Sequence, residues 1–287
     1  MVLYTLGVEL APEPSCGSGG MRVSGDRALS CVMPVMSPYQ SCIICSTPRS
    51  GSTLLCGLME SAGCGRPDSY FRRESMADFA RDLGVPDGGD PDSVVFTRRY
   101  LEAVLAEGKA GTEIFGLRIM FESLGELSDR LGKIFPNVER MPDRLEKAFG
   151  RSLYVHLSRE DKVAQAVSLL KAMQTGLWHV APDGAELERT TPHRDAAYDS
   201  GVIGSLVDKL TDQDEAWRSW FATHGIEPVR ITYGDLSRDP RAGLRAVLAG
   251  LGMRTSLASG VEPCTARLAD EQSGDWIARF RTDLGIS

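Results

Sequence analysis

Gln40-Ser41-Cys42-Ile43-Ile44-Cys45-Ser46-Thr47-Pro48-Arg49-Ser50-Gly51-Ser52-Thr53-Leu54-Leu55-Cys56-Gly57-Leu58 reads as a strand, a tight polar turn and the start of a helix. The strand is the uncharged run from Gln40 to Ser46, the pattern of a short strand buried on both faces. The helix carries Leu54, Leu55 and Leu58 and stops at Gly63, a favoured C-terminal cap. Between the two, the backbone N–H groups of residues 50 to 53 sit at a helix N-terminus, where unpaired donors and the helix dipole favour an anion. Gly51 lets backbone approach such a ligand closely, Ser52 and Thr53 add hydroxyls, and Arg49 sets a permanent cation beside the loop. This is not a Walker A loop, because Arg49 precedes the glycine and no lysine follows it.

Beyond this unit, strands and helices alternate. Residues 64 to 91 read as irregular and polar, with Pro67, Pro86 and a Gly-Gly-Asp-Pro stretch. Helical spacing runs from about Asp92 to Glu107, a strand is expected over Ile114 to Met120, and a helix from about Ser123 to Leu131. A third strand, Ser152 to Leu157, leads to a helix ending near Gln174. A loop holding His179 and His193 precedes a long helix over Ser200 to His224, a last strand at Val229 to Thr232 and a helix from Pro240 to Leu251. The order predicts an α/β fold, a mainly parallel sheet flanked by helices. Residues 1 to 38, rich in Gly, Ser and Pro, read as a disordered extension or an early start codon, which leaves 39–287 as a single domain.

A net charge of −7 argues against nucleic acid or an anionic membrane as the main partner, so an anionic ligand needs a local cationic pocket. No apolar run is long enough for a membrane span, no leader pattern is visible, and the seven cysteines are odd in number and irregularly spaced. A reducing cytoplasm is the simplest expectation. Cys42 and Cys45 have redox-like spacing, yet three residues apart on a strand they face opposite sides and read as core thiols.

A second segment points to the same chemistry. The strand Tyr154-Val155-His156-Leu157 runs into Arg159, and Ser168 follows nine residues later on the next helix. An arginine at a strand end and a serine in the following helix can converge on one anion.

With both segments in view, Ser46 to Leu55 resembles the 5′-phosphosulfate loop of the sulfotransferase superfamily, and is similar in particular to the bacterial Stf0-type family, which carries Arg where the eukaryotic cytosolic enzymes carry Lys. Arg159-Glu160-Asp161 and Val163 to Ser168 resemble that family's 3′-phosphate clamp, Gln165 included. Broader likeness extends through Gly116 to Phe121, with its basic Arg118, then Gln174 to Trp178, Glu215 to Phe221, Tyr233-Gly234-Asp235-Leu236, and Asp275, Trp276 and Arg279. The resemblance implies a P-loop NTPase-like sulfotransferase architecture, with a variable acceptor-side region near 66–112. It implies 3′-phosphoadenylyl sulfate (PAPS) as donor, PAP as product, a carbohydrate or glycan hydroxyl as acceptor and no metal; a homodimer stays open. Arg49, Ser50, Gly51, Ser52, Thr53, Arg159 and Ser168 would bind the donor, Arg49 also acting in catalysis. Pro48, Arg66, Pro67, Asp68, Ser69, Tyr70, Phe71 and Arg72 would face the acceptor.

Sulfuryl transfer, like phosphoryl transfer, asks mainly for positioning and charge neutralisation, plus a base for the acceptor hydroxyl. A family member has a glutamate resembling that base in a Pro-Gln-Glu-Phe-Phe segment; here the matching stretch is Pro67-Asp68-Ser69-Tyr70-Phe71, with serine in the glutamate's place. Asp68 and Glu74 are the nearest carboxylates and stand as catalytic candidates beside the alternative that both are solvated loop charges. His156, inside a strand, reads as a core imidazole; His179 is the better histidine candidate. Two other functions fit a nucleotide-binding α/β chain: a small-molecule kinase, which the missing Walker lysine opposes, and a non-catalytic binder that has lost its base. Trehalose, a lipopolysaccharide sugar or another glycan would each suit as acceptor.

Overall fold

The computed structural model describes residues 37–86, 90–266, 268, 270–283 and 285. The extension expected over 1–38 therefore lies, up to residue 36, outside the described residues. Six strands are present among them: β1 (Ser41–Ser46), β2 (Phe115–Met120), β3 (Ser152–Ser158), β4 (Leu177–Val180), β5 (Glu186–Arg189) and β6 (Val229–Thr232). Four of these form one parallel sheet in the order β2-β1-β3-β6, and β4 and β5 pair as a separate antiparallel hairpin.

Strand β1 lies between β2 and β3, and all six of its residues are buried. That explains why its sequence is continuous and apolar rather than alternating. Ile43 and Cys45 pack on one face with Phe115, Leu117 and Trp217; Cys42 and Ile44 pack on the other with Leu55, Leu58 and Val155. The two cysteines thus belong to different layers, both are free thiols, and burial pushes both well above the ordinary thiol range. They are core residues, as three-residue spacing on a strand requires.

Helices cover both faces. On one side lie α1 (Ser52–Ser61), α8 (Tyr233–Arg238) and α9 (Pro240–Gly250), contributing Leu58, Leu236 and Leu244 to the core. The opposite side is covered by α2 (Arg73–Asp82), α3 (Val94–Lys109), α4 (Leu124–Ile134), α5 (Met141–Phe149) and α7 (Ser200–His224). A third cluster joins α6 (Lys162–Thr175), α7 and α10 (Glu271–Asp283) through Leu169, Leu206 and Trp276. Each fully buried leucine of this kind contributes about 1.5–3 kcal/mol by leaving water.

The fold is α/β with a parallel sheet, as the alternation predicts, but several elements go beyond the sequence reading, α8 and α10 among them. The stretch read as irregular over 64–91 contains α2, whose Met76 and Ala80 are buried four residues apart. Helix α5 lies outside the sequence expectation; Pro142 sits in its first turn, where a missing N–H costs nothing. The loop expected around His179 is in fact the β4–β5 hairpin, turned at Asp183-Gly184. Because β1, β2, β3 and β6 run parallel, the segments leaving their C-terminal ends gather along one edge, where open α/β sheets hold ligands.

Candidate active site

At that edge the loop after β1 is held by buried partners. Gln165 of α6, itself fully buried, donates from Nε2 to Thr47 Oγ1 at 2.8 Å and to the Pro48 carbonyl at 2.6 Å. Trp217 Nε1 donates to the Ser46 carbonyl at 3.0 Å. Two residues of the loop take left-handed backbone, Arg49 at φ 62° and Gly51 at φ 88°. For a non-glycine this costs on the order of 1 kcal/mol. At Gly51 a side chain is further excluded by the Tyr233 ring, 2.9 Å from where a Cβ would stand. Helix α1 then begins with no side-chain cap and no acidic residue in its first turn, so its N-terminal donors remain available to an anion. The Ser50 hydroxyl is buried without a hydrogen-bond partner among the described residues.

The turn of the backbone sends Arg49 across to α6. Its Nε donates to Ser168 Oγ at 3.0 Å and its Nη1 to the Trp178 carbonyl at 2.6 Å. Arg159, at the end of β3, donates from Nη1 to the Arg49 carbonyl at 3.2 Å and lies 4.3 Å above the Tyr233 ring. Burial first, and then the Arg159 charge, lower the Arg49 pKa, the sign of two cations brought together in a partly dry site. Arg49, Gly51, Ser52 and Thr53 of the loop, with Ser50 buried behind them, thus meet Arg159 and Ser168, more than a hundred positions away in the chain, around one cavity of about 880 Å³. That lies within the roughly 300–1,000 Å³ usual for small-molecule sites.

Behind the cavity, Asp214 of α7 is buried and gathers His156 Nε2 at 3.1 Å, Lys162 Nζ at 3.1 Å and Arg218 Nη2 at 2.8 Å. Burial alone would raise its pKa, but the hydrogen bonds from His156 and Lys162 win and hold the carboxyl below its ordinary value. Lys162 also donates to the Arg159 carbonyl at 2.7 Å, which ties the base of the Arg159 turn to α7. His156 is the satisfied core imidazole that its strand position suggests.

The 66–72 segment runs along the free edge of β2, where Arg118 N donates to the Asp68 carbonyl at 3.0 Å and Gly116 leaves room for Pro67. Arg118 binds three side chains at once: Nε to Ser69 Oγ at 2.8 Å, Nη1 to Thr53 Oγ1 at 2.9 Å and Nη2 to Asp68 Oδ1 at 2.8 Å. The same Asp68 oxygen accepts from the Ser69 N–H at 2.6 Å. A smaller cavity of about 350 Å³ opens here, lined in part by Arg66, Pro67, Asp68, Ser69 and Arg72. Arg66 is paired with Glu60 at 2.7 Å and with Glu107, while Pro48 and Arg72 also face the larger cavity.

Three residues expected at the site stand elsewhere. Tyr70 and Phe71 turn into the core, where Tyr70 donates to the Arg66 carbonyl at 2.7 Å and Phe71 packs against Tyr100 and Phe149; both line neither cavity. Their aromatic size serves the packing beneath the segment rather than its surface. Glu74, in the exposed first turn of α2, is paired with Arg72 at 3.3 Å and also lines neither cavity.

The hairpin supplies what sequence reading missed. His179 of β4 lies with Nε2 2.9 Å from Thr53 Oγ1 and 3.5 Å from a Glu188 carboxylate oxygen on β5. Despite that carboxylate, burial, then Arg49, then Arg118 push the imidazole down to about 3, so it is neutral at ordinary pH. Glu188 is not marked by any motif, although Asp183-Gly184 between Trp178-His179-Val180 and Leu187 is a short-range hairpin signal.

A parallel sheet whose central strand delivers an uncapped helix N-terminus, flanked by two arginines, is a P-loop-like architecture with a turn suited to anions. The chain belongs to the Stf0 sulphotransferase family, whose profile matches residues 41–283, and it is a sulfotransferase. It is similar to trehalose 2-sulfotransferase of Mycobacterium tuberculosis (strain ATCC 35801 / TMC 107 / Erdman), 32% identical over 270 residues, covering 86% of this chain and 95% of that protein. It is also similar to trehalose 2-sulfotransferase of Mycolicibacterium smegmatis (strain ATCC 700084 / mc(2)155), 30% identical, covering 84% and 94%. Among solved structures it matches the sulfotransferase domain of the Synechococcus PCC 7002 olefin synthase at TM-score 0.39 and 16% identity, over 86% of this chain and 89% of that one. The sulfotransferase domain from the curacin biosynthetic pathway matches at TM-score 0.41 and 12% identity, over 89% and 99%. No described helix is long and apolar enough to cross a membrane.

Proposed function

We propose that this sulfotransferase moves the sulfuryl group of 3′-phosphoadenylyl sulfate to a hydroxyl of a carbohydrate or glycan, with residues 39–287 acting as one catalytic domain. The observation that carries the donor is the hydrogen bond from Arg49 to Ser168, which joins the loop after β1 to the helix after β3 around one cavity. The donor set fits a ligand with anionic groups at two ends: loop N–H groups, the partnerless buried Ser50 hydroxyl, and two arginines. Arg49 with Ser50, Gly51, Ser52 and Thr53 holds the 5′-phosphosulfate, and Arg159 with Ser168 holds the 3′-phosphate. The donor supplies an activated sulfate ester; the chain's own work is to orient it and to neutralise charge on the departing 5′-phosphate through Arg49 and the helix N-terminus.

The names of the mycobacterial relatives support a sugar as acceptor, with trehalose the first candidate. The smaller cavity fits that reading, because Asp68, Ser69 and Arg72 offer both donors and acceptors to hydroxyls. Incubation with ³⁵S-labelled donor and a panel of sugars, trehalose among them, tests it. The expected result is label on at least one sugar hydroxyl, without added metal. Label on none of them, with PAP still bound tightly, would contradict the carbohydrate reading.

A further inference from the structure

We propose that Glu188 is the general base of the transfer, the carboxylate that takes the proton of the acceptor hydroxyl. The inference rests on the reading above, in which the larger cavity receives the donor and the smaller one the acceptor. A base must stand where the two ligands meet, within hydrogen-bond reach of the attacking oxygen. The cavities share a wall made by Thr53, Ser69, Arg72, Arg118 and Glu188. Among the described residues, Glu188 is the one carboxylate in that wall: Glu60 and Asp68 line only the smaller cavity, and Glu122, Asp195 and Asp270 only the larger.

The competing groups are compromised. One Asp68 oxygen is committed to Arg118 and to the Ser69 N–H, and Glu74 is outside both cavities. Ser69 accepts from Arg118 through its hydroxyl, which is no proton sink at neutral pH. His179, held neutral by burial and two arginines, has little affinity for a further proton. Its place is instead structural for Glu188: the two are register partners in the hairpin, with Nε2 3.5 Å from the carboxylate and the same ring anchored on Thr53. Gly176, at φ 71° and hard against Thr191, ends α6 where the hairpin that carries Glu188 begins. The base has thus moved from the segment after α1 to a hairpin that faces it across Arg118 and Thr53.

In the step, the acceptor oxygen forms a new bond to sulfur as the bond from sulfur to the bridging oxygen breaks. The bonding pair leaves on the 5′-phosphate, the hydroxyl proton passes to the Glu188 carboxylate, and that proton is later lost to water.

The test compares the wild type with Glu188→Gln, Glu188→Asp and Asp68→Asn, using the best acceptor of the sugar panel, and follows PAP binding by calorimetry. Glu188→Gln is expected to lower kcat about 100- to 1,000-fold, with KM for the sugar and Kd for PAP each within about three-fold of wild type. Glu188→Asp should recover a substantial part of kcat, and Asp68→Asn should act mainly on KM. A Glu188→Gln enzyme with kcat within about three-fold of wild type, or a kcat loss that falls on Asp68→Asn instead, would overturn the proposal. A wild type that binds PAP but sulfates no sugar would remove the acceptor reading and the role of Glu188 with it. A wild type that does not bind PAP would remove the donor reading, so the failures are told apart.

Discussion

In the half of the cleft built from residues 47–53 and 159–168, Arg49 spends its hydrogen bonds on neutral groups, the Ser168 hydroxyl and the Trp178 carbonyl. In the half built from 66–72, 118 and the hairpin, Arg118 spends one on a carboxylate and two on hydroxyls. The first arrangement leaves positive charge uncompensated by those bonds, beside a helix N-terminus that adds to it. The second neutralises its cation internally. One half is therefore suited to a highly charged anion, and the other to a neutral hydroxylic molecule. A net charge of −7 does not bar a polyanion, because Arg49, Arg159 and the N-terminus of α1 stand together at one cavity.

The largest effect expected from breaking the comparison comes from Arg49→Ala. Removing a cation aimed at developing negative charge should cost about 10²–10³ in kcat and weaken PAP binding, measurable by steady-state rates and calorimetry; unchanged PAP binding would show that the loop's backbone alone holds the ligand. A smaller effect reports the burial of His179, together with the field of Arg49 and Arg118 on it. Its folded pKa of about 3 lies below the ordinary 6.5, so between those values the unfolded chain binds the proton that the folded one refuses. Stability is then full above about pH 6.5 and falls by about 2 kcal/mol on going from pH 7 to pH 5. Chemical denaturation at the two pH values should show this slope, and His179→Gln should remove its share; an unchanged slope in that variant would show that the imidazole is neither buried nor held beside Arg49 and Arg118. The smallest effect is the mirror of the first: Arg118→Met should raise the sugar KM about ten-fold, the loss of one hydrogen bond to a charged group, while leaving PAP affinity nearly intact.

The two halves were not equally legible. The strand, the turn and α1 are contiguous, and an uncharged run followed by Arg-Ser-Gly-Ser-Thr constrains both geometry and ligand; Arg159 and Ser168 are also fixed locally, by a strand end and nine residues of chain. What the sequence could not show is that Arg49 itself reaches Ser168, because that depends on its left-handed backbone and on Gln165 pinning the loop. The acceptor half depends on contacts between distant segments. Ser69, Thr53 and Arg118 come together only because β2 and the 66–70 segment run side by side. Helix α2 was hidden by its charge and by the flanking Pro67 and Pro86, although Met76, Phe79, Ala80 and Leu83 have helical spacing. Tyr70 and Phe71 stand among the acceptor contacts only by their match to the Pro-Gln-Glu-Phe-Phe segment, and the packing around Tyr100 reveals that they belong to the core.

The most direct test of the account is calorimetric titration of the wild type and of Arg159→Ala with PAP and with AMP, ligands that differ by the 3′-phosphate. The wild type should bind PAP at least about ten-fold more tightly, as expected for hydrogen bonds to a charged group, and Arg159→Ala should erase most of that preference while leaving AMP binding little changed. Equal losses for the two ligands, or no wild-type preference for PAP, would contradict the assignment of Arg159 and Ser168 to the 3′-phosphate and with it the proposed donor.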